Sequence, residues 1–264
     1  MKRLLLILLC VPLLFSCGIM RNANHYYYKA YNAPQSEIQY KIDNYTKCLR
    51  IDPDYASAYY ERGSVYYSLG NYEDAIADFS RSISLDPDFA YAYNLRGISY
   101  EKTGNHKDAI ADYSRAIKIH PDYASAYYSR SGAFYDLGNY EDAIDDLTIA
   151  IRLYPDYAYA YYSRGRAYYK LENYKDAIDD FSRSISLDPD YASAYYERGS
   201  VYYSLGNYED AIADFSRSIS LDPDYASAYD FRGICKWYLK EEYCRDWRKA
   251  CDLDLCDNYN DFCK

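Results

Sequence analysis

Proline recurs every 34 residues through most of this 264-residue chain, at Pro53, Pro87, Pro121, Pro155, Pro189 and Pro223. The residues between the prolines keep the same period, and residues 52–88 are identical to residues 188–224, four periods later. A fixed period of this length is typical of repeat proteins, in which each unit buries its apolar surface by stacking on its neighbours. We therefore predict a repeat array rather than a single compact core.

Each period contains two segments with helical spacing. In the first copy, small or apolar residues recur at intervals of four and three residues, at Tyr59, Gly63 and Tyr66 and again at Ile76, Ser80 and Ile83. Gly70 and Asn71 lie between these segments and accept the left-handed conformation that ends a helix. Asp86 precedes a proline and is therefore disfavoured in a helix. The sequence predicts a helix-turn-helix unit.

Taking Ala56 as position 1, five full copies occupy residues 56–89, 90–123, 124–157, 158–191 and 192–225. Positions 4, 8, 11, 20, 24, 27 and 32 of the first copy are Tyr59, Gly63, Tyr66, Ala75, Phe79, Ser82 and Pro87. This pattern resembles the tetratricopeptide repeat signature. Two departures fall in the third copy, Ser131 at position 8 and Leu147 at position 24. The resemblance implies an all-α fold, an α-solenoid of stacked helix-turn-helix hairpins forming a right-handed superhelix with an inner groove.

Both ends of the array differ from the full copies. Residues 36–55 match the second half of a copy and are predicted to form a degenerate capping repeat, with residues 22–33 as its first helix and Cys48 in its core. Residues 226–264 begin as a sixth repeat, lose the glycine-asparagine turn and become rich in cysteine. We expect a degenerate sixth repeat and a C-terminal cap there.

The N-terminus has the features of an export signal. Lys2 and Arg3 precede an apolar run over residues 4–15, which is too short to span a bilayer. The run ends in Leu14-Phe15-Ser16-Cys17, which resembles the lipobox of bacterial lipoproteins, although Phe15 is unusual there. The resemblance implies a lipoprotein signal peptide over residues 1–16, acylation of Cys17 and a lipid-anchored segment over residues 17–35. The alternative is an ordinary signal peptide with a chance cysteine.

The residues after Cys17 indicate the membrane in which a lipoprotein of this kind would be anchored. Gly18 stands where an aspartate would favour retention in the inner membrane, and residues 18–22 contain no acidic residue that would favour surface export. We expect a lipid-anchored protein of the bacterial outer membrane that faces the periplasm.

Five of the eight cysteines lie near the C-terminus, at Cys235, Cys244, Cys251, Cys256 and Cys263. They form no C-x-x-C motif and have no histidine nearby, which disfavours zinc. An envelope location favours disulfides. We predict a Cys235–Cys244 pair, followed by Cys256–Cys263 or Cys251–Cys263, with the fifth thiol free or paired with Cys48 or another chain.

Charge and motifs argue against several functions. The formal net charge is −10, whereas a protein that binds nucleic acid needs a basic surface. The three histidines belong to no recognisable catalytic motif. We expect a non-enzymatic protein that requires no metal or cofactor.

Arginine at position 7 recurs with aspartate at position 23 of the same copy. The arginines are Arg62, Arg96, Arg130, Arg164 and Arg198, and the aspartates are Asp78, Asp112, Asp146, Asp180 and Asp214. We interpret these residues as structural ion pairs between helices, with capture of a ligand as the alternative.

Tyrosine is the most unusual component, with 40 residues in the chain. In the tetratricopeptide family, positions 2, 5, 9 and 12 of the first helix face the groove. This implies a ligand-binding set of Tyr60, Tyr67, Tyr128, Tyr135, Tyr162, Arg166, Tyr169, Tyr196 and Tyr203. Rigid amphipathic tyrosines suit an extended peptide. We predict an envelope adaptor that binds a protein or peptide and helps to assemble or organise a membrane complex. Two alternatives remain: a glycan-binding module that uses the same groove, and tyrosines that serve only packing.

Overall fold

The structure is a computed structural model that describes residues 22–263. Within this range all the regular elements are helices. They are α1 (22–31), α2 (Ile38–Ile51), α3 (Ala56–Ser68), α4 (Tyr72–Leu85), α5 (Ala90–Lys102), α6 (His106–Ile119), α7 (Ala124–Asp136), α8 (Tyr140–Leu153), α9 (Ala158–Lys170), α10 (Tyr174–Leu187), α11 (Ala192–Ser204), α12 (Tyr208–Leu221), α13 (Ala226–Leu239), α14 (Cys244–Asp252) and α15 (Asp257–Phe262). Each of the five copies therefore contains two helices. No helix in residues 22–263 has the length and apolar character needed to cross a membrane.

The helices belong to two compact units that divide between Ala133 and Phe134, inside α7. In the first unit α3 packs on α4 and α5 on α6, and α2 and α4 pack on the helices that follow them. In the second unit α9 packs on α10, α11 on α12 and α13 on α14, again with contacts between successive hairpins. Each unit is therefore a stack of antiparallel hairpins.

The turn inside each hairpin is made by backbone hydrogen bonds around a left-handed residue. Gly70 has a φ of 76°, and the N–H of Asn71 donates to the carbonyl of Tyr66 at 2.9 Å. This arrangement satisfies carbonyl groups at the end of α3 that have no partner inside the helix. In the fourth copy Glu172 takes the same conformation with a φ of 58°, so the turn persists where the glycine is replaced.

Small residues let the two helices of a hairpin approach closely. Ala58 and Ala75 are fully buried, and Phe79 fills the space beside them. A Cβ atom on Gly63 would lie 3.0 Å from the Phe79 ring, closer than real Cβ contacts normally allow. The same relation holds at Gly97, where a Cβ would lie 2.7 Å from the Tyr113 ring. Glycine at position 8 is therefore a packing requirement of the large ring at position 24.

The end regions also pack as hairpins. Ala23 and Ala30 of α1 lie in one cluster with Tyr45 and Cys48 of α2, and Cys48 is fully buried. At the other end, Trp247 of α14 is only 2% exposed and takes the place of the ring at position 24. Cys17, the predicted lipid anchor, lies outside the described residues.

The disulfides differ from the predicted pairs. The structure contains Cys244–Cys263 and Cys251–Cys256, so the predicted Cys235–Cys244 pair and both predicted alternatives are wrong. Cys235 is a buried thiol packed among residues of α12 and α13, while Cys244 begins α14. The chain after α15 returns to the start of α14, and this path brings Cys263 to Cys244. Cys48 also remains a thiol.

Candidate functional site

The position 7 arginines hold the hairpins together. Arg164 donates from Nε and Nη2 to the carboxylate of Asp180 at 2.7 and 2.8 Å, and from Nη1 to the hydroxyl of Thr148 at 3.0 Å. One guanidinium thus joins α9, α10 and the second helix of the preceding copy. Equivalent pairs are Arg62–Asp78, Arg96–Asp112, Arg198–Asp214 and, in the sixth repeat, Arg232–Asp246. The predicted structural ion pairs are confirmed at these positions.

The position 5 tyrosines, which are predicted to line a groove, also make packing contacts. The Tyr162 ring lies 5.9 Å from the Phe181 ring and 4.8 Å from the Tyr191 ring, measured between centroids. Tyr60 and Tyr196 make the same two kinds of contact in their own copies. Burial raises the pKa of both of these hydroxyls to about 12. These rings thus pack against the hairpin core while they stay partly exposed, and Tyr128, also at position 5, is likewise partly buried.

The position 12 tyrosines lie at the turn end of each first helix. Each contacts a tyrosine at position 17, in the pairs Tyr67–Tyr72, Tyr135–Tyr140, Tyr169–Tyr174 and Tyr203–Tyr208. Tyr169 also shares a hydrogen bond of 3.0 Å with Ser204 of the next copy. These rings remain partly exposed, so they combine a packing contact with a surface available to a partner.

Arg166 connects the third, fourth and fifth copies in the second unit. Its guanidinium lies over the Tyr135 ring, 4.8 Å from the centroid, and its Nη2 donates to the Tyr135 hydroxyl at 3.3 Å. On the other side, Nε lies 3.6 Å from the Glu197 carboxylate. The Arg166 side chain is still 41% exposed. Residues from three successive copies therefore hold one accessible cation in place.

Glu197 belongs to this site although the groove positions in the sequence did not include it. Its side chain is 19% exposed, and burial raises its pKa, against the opposing effect of Arg166 and Lys170. Glu197 is at position 6, which is glutamate in only two full copies, the other being Glu61. The signal available in the sequence was this duplicated acid beside a single arginine at position 9.

The second copy departs from this surface. Glu101 replaces the tyrosine at position 12 and accepts a 2.5 Å hydrogen bond from the hydroxyl of Tyr113. Tyr113 stands at position 24, where the first, fourth and fifth copies have phenylalanine. The two changes are coupled, because a carboxylate at position 12 supplies the acceptor that the buried hydroxyl needs. Asn94, at position 5 of this copy, is buried.

Comparisons with known proteins place this geometry in context. Residues 94–158, 128–192 and 162–226 match a family described as Tetratricopeptide repeat, and residues 42–70 and 63–104 match one described as TPR repeat. Among curated proteins, no sequence matches the chain significantly.

Solved structures share the architecture. A tetratricopeptide repeat protein from Parabacteroides merdae is 18% identical, with a TM-score of 0.71 over 91% of this chain and 100% of its own. MamA is 27% identical, with a TM-score of 0.58 over 62% of this chain and 96% of its own. YrrB, a TPR protein with an unusual peptide-binding site, is 23% identical, with a TM-score of 0.60 over 70% of this chain and 95% of its own.

Proposed function

The chain belongs to the tetratricopeptide repeat family, and from that premise we propose that it is a non-enzymatic scaffold whose second unit binds a protein or peptide around Arg166. The observation that carries the proposal is the exposed guanidinium fixed by Tyr135 and Glu197. A cation held in this way loses little conformational entropy on binding and offers N–H donors to carboxylate or carbonyl groups. The partly exposed rings of Tyr169 and Tyr203 extend the same surface.

The likeness to repeat proteins of this class supports a binding role. YrrB, which shares this fold, has a peptide-binding site, and a stack of helical hairpins presents its first helices as an extended surface. Aromatic residues and arginine are the residue types that most often carry the binding energy of protein interfaces. The surface around Arg166 contains both.

The envelope location is a further part of the proposal. Cys17 would carry the lipid, tether the chain to the periplasmic face of the outer membrane and place the binding surface where it helps to assemble or organise a membrane complex. Cys17→Ala tests this part directly. We expect the variant to lose fatty-acid labelling and to leave the membrane fraction, and labelling that persists would contradict the anchor.

Binding is tested with an arginine pair from the same copy. Arg166→Ala should weaken the affinity for a partner captured from the envelope by at least tenfold, because aromatic and arginine anchors at the centre of an interface dominate its energy. Arg183→Ala is the matched control, since the Arg183 side chain is 48% exposed but lies on the second helix. Equal affinity of the two variants would contradict the proposed site. Binding to sugar arrays rather than peptide arrays would favour the glycan alternative.

A further inference from the structure

The two copies of the duplicated segment have different surroundings. Helices α3 and α11 have identical sequences, because residues 52–88 repeat as residues 188–224. The preceding hairpins are related by the same offset of 136 residues, so that α2 (Ile38–Ile51) corresponds to α10 (Tyr174–Leu187). Differences around α3 and α11 therefore come from the hairpins on either side, and the difference at Glu61 and Glu197 comes from the preceding hairpin.

At α11 the preceding hairpin supplies two large polar side chains. Arg166 lies beside Glu197, and Tyr169 bonds to Ser204. Val201, between them on α11, is fully buried. Side chains of the preceding hairpin thus cover this part of α11.

At α3 the corresponding residues are small. Counting back 136 residues from Arg166 and Tyr169 gives Ala30 and Ala33. A cavity of about 190 Å³ lies here, lined among others by Lys41, Tyr45, Glu61, Ser64, Val65 and Ser68. Val65, the twin of the buried Val201, is only partly buried. Glu61 and Ser68, which line the cavity, are the counterparts of Glu197 and Ser204, the two residues that Arg166 and Tyr169 contact in the other copy.

The polar groups that α3 contributes to this cavity are acceptors, whereas Lys41 of α2 contributes a donor. The hydroxyls of Ser64 and Ser68 donate to the carbonyls of Tyr60 and Val65 at 2.9 and 2.7 Å, which leaves their oxygen lone pairs available. Glu61 adds a carboxylate. Within the described residues the Glu61 side chain makes no hydrogen bond or ion pair. Burial raises the pKa of its carboxyl group, and the charge of Lys41 acts in the opposite direction. Guanidinium has donors and no acceptors, so it complements this set.

We propose that the cavity between α2 and α3 binds an arginine side chain of the partner polypeptide, with its guanidinium on Glu61 and its aliphatic stem along Val65. The internal precedent is Arg166 on Glu197. This inference rests on the proposed scaffold function and adds the chemistry of the partner, a polypeptide that carries an accessible arginine. Lys41 competes for the same carboxylate and limits the affinity.

The test uses small probes and the intact protein. Nα-acetylarginine amide should bind the wild-type protein in an NMR titration at least tenfold more tightly than Nα-acetylcitrulline amide, which has nearly the same shape and no charge. Glu61→Gln should remove this preference. Glu197→Gln is the matched control, because it changes the identical residue of the duplicated segment where Arg166 already occupies the space, and it should leave the preference intact.

Two more variants change residues near the same cavity. Lys41→Gln should increase the affinity for the arginine probe, and Ala33→Tyr, which copies Tyr169, should block binding while circular dichroism shows an unchanged helix content. Equal affinity for the two probes, or an unchanged preference in Glu61→Gln, would overturn the inference. If the probes fail while Arg166→Ala still weakens capture of the partner by at least tenfold, the scaffold proposal stands and only the arginine pocket is wrong.

Discussion

The guanidinium of Arg164 and the carboxylate of Asp180 face each other in parallel, with Nε–Oδ2 at 2.7 Å and Nη2–Oδ1 at 2.8 Å. Both side chains are largely shielded from water, with exposures of 16% and 8%. A two-point, charge-assisted contact of this kind is stronger than a single surface ion pair. It therefore provides the clearest test of what stabilises the repeat.

We expect a double-mutant cycle of Arg164→Ala and Asp180→Ala to give a coupling of about 1 kcal/mol or more in the free energy of unfolding, measured by urea denaturation. Arg183 and Asp156 form the control pair, since their contact is 3.8 Å long and their side chains are 48% and 74% exposed. That pair should couple by only a few tenths of a kcal/mol. Additive effects at Arg164 and Asp180 would assign the arginine a role other than stability.

Gly165 provides a test of the close helix approach. A Cβ at this position would lie 2.9 Å from the Phe181 ring, so Gly165→Ala should destabilise the protein by roughly 1–3 kcal/mol through overpacking. The third copy carries Ser131 and Leu147 at the same two positions, which suggests a compensating change. Adding Phe181→Leu should recover part of the loss in thermal denaturation. A double variant less stable than the sum of the two single changes would refute this explanation.

We expect the half-buried tyrosines to make the folded protein less stable at alkaline pH. Burial raises the pKa of Tyr60 and Tyr196 from 10.0 to about 12 in the folded protein. Below pH 10 both states hold the proton and the stability is fully present, whereas between pH 10 and 12 the unfolded state loses protons first. Each such tyrosine then lowers stability, by less than the ~1.4 kcal/mol per pH unit of a fully shielded group, because both rings are partly exposed to solvent. Urea titrations between pH 8 and 11.5 should show a shallower decline for Tyr196→Phe, and an unchanged slope would count against the assignment.

We expect a defined pattern of thiol alkylation, with two buried cysteines and two disulfides. Burial raises the pKa of Cys48 and Cys235 to about 12, so neither thiol should react with iodoacetamide in the native protein at pH 8. After unfolding without reductant, peptide mapping should show label on both and intact Cys244–Cys263 and Cys251–Cys256 links. A linked peptide containing Cys235 would contradict the observed pairing.

The sequence determined the features that depend on local spacing. The 34-residue period, the glycine-asparagine turns and the small residues at fixed positions specify a helical hairpin, because each of these acts within one repeat. The Arg164–Asp180 pair could be predicted for the same reason, since both residues belong to one hairpin and recur together. Burial of Cys48 followed from matching residues 36–55 to the regular second helix.

Tertiary structure decided the features that depend on which side chains meet across repeats or at the ends. The disulfides were mispredicted because their pairing follows the path of the last 20 or so residues, which no repeat specifies. The contact between Tyr162 and Tyr191, the last residue of its copy, was also beyond reach of the repeat pattern, while the predicted groove role of Tyr162 stays a prediction. Glu61 and Glu197 show the reason most directly. Their local sequences are identical, but Arg166 stands beside one and Ala30 occupies the corresponding position before the other, so only the stacking of neighbouring hairpins makes the two carboxylates different.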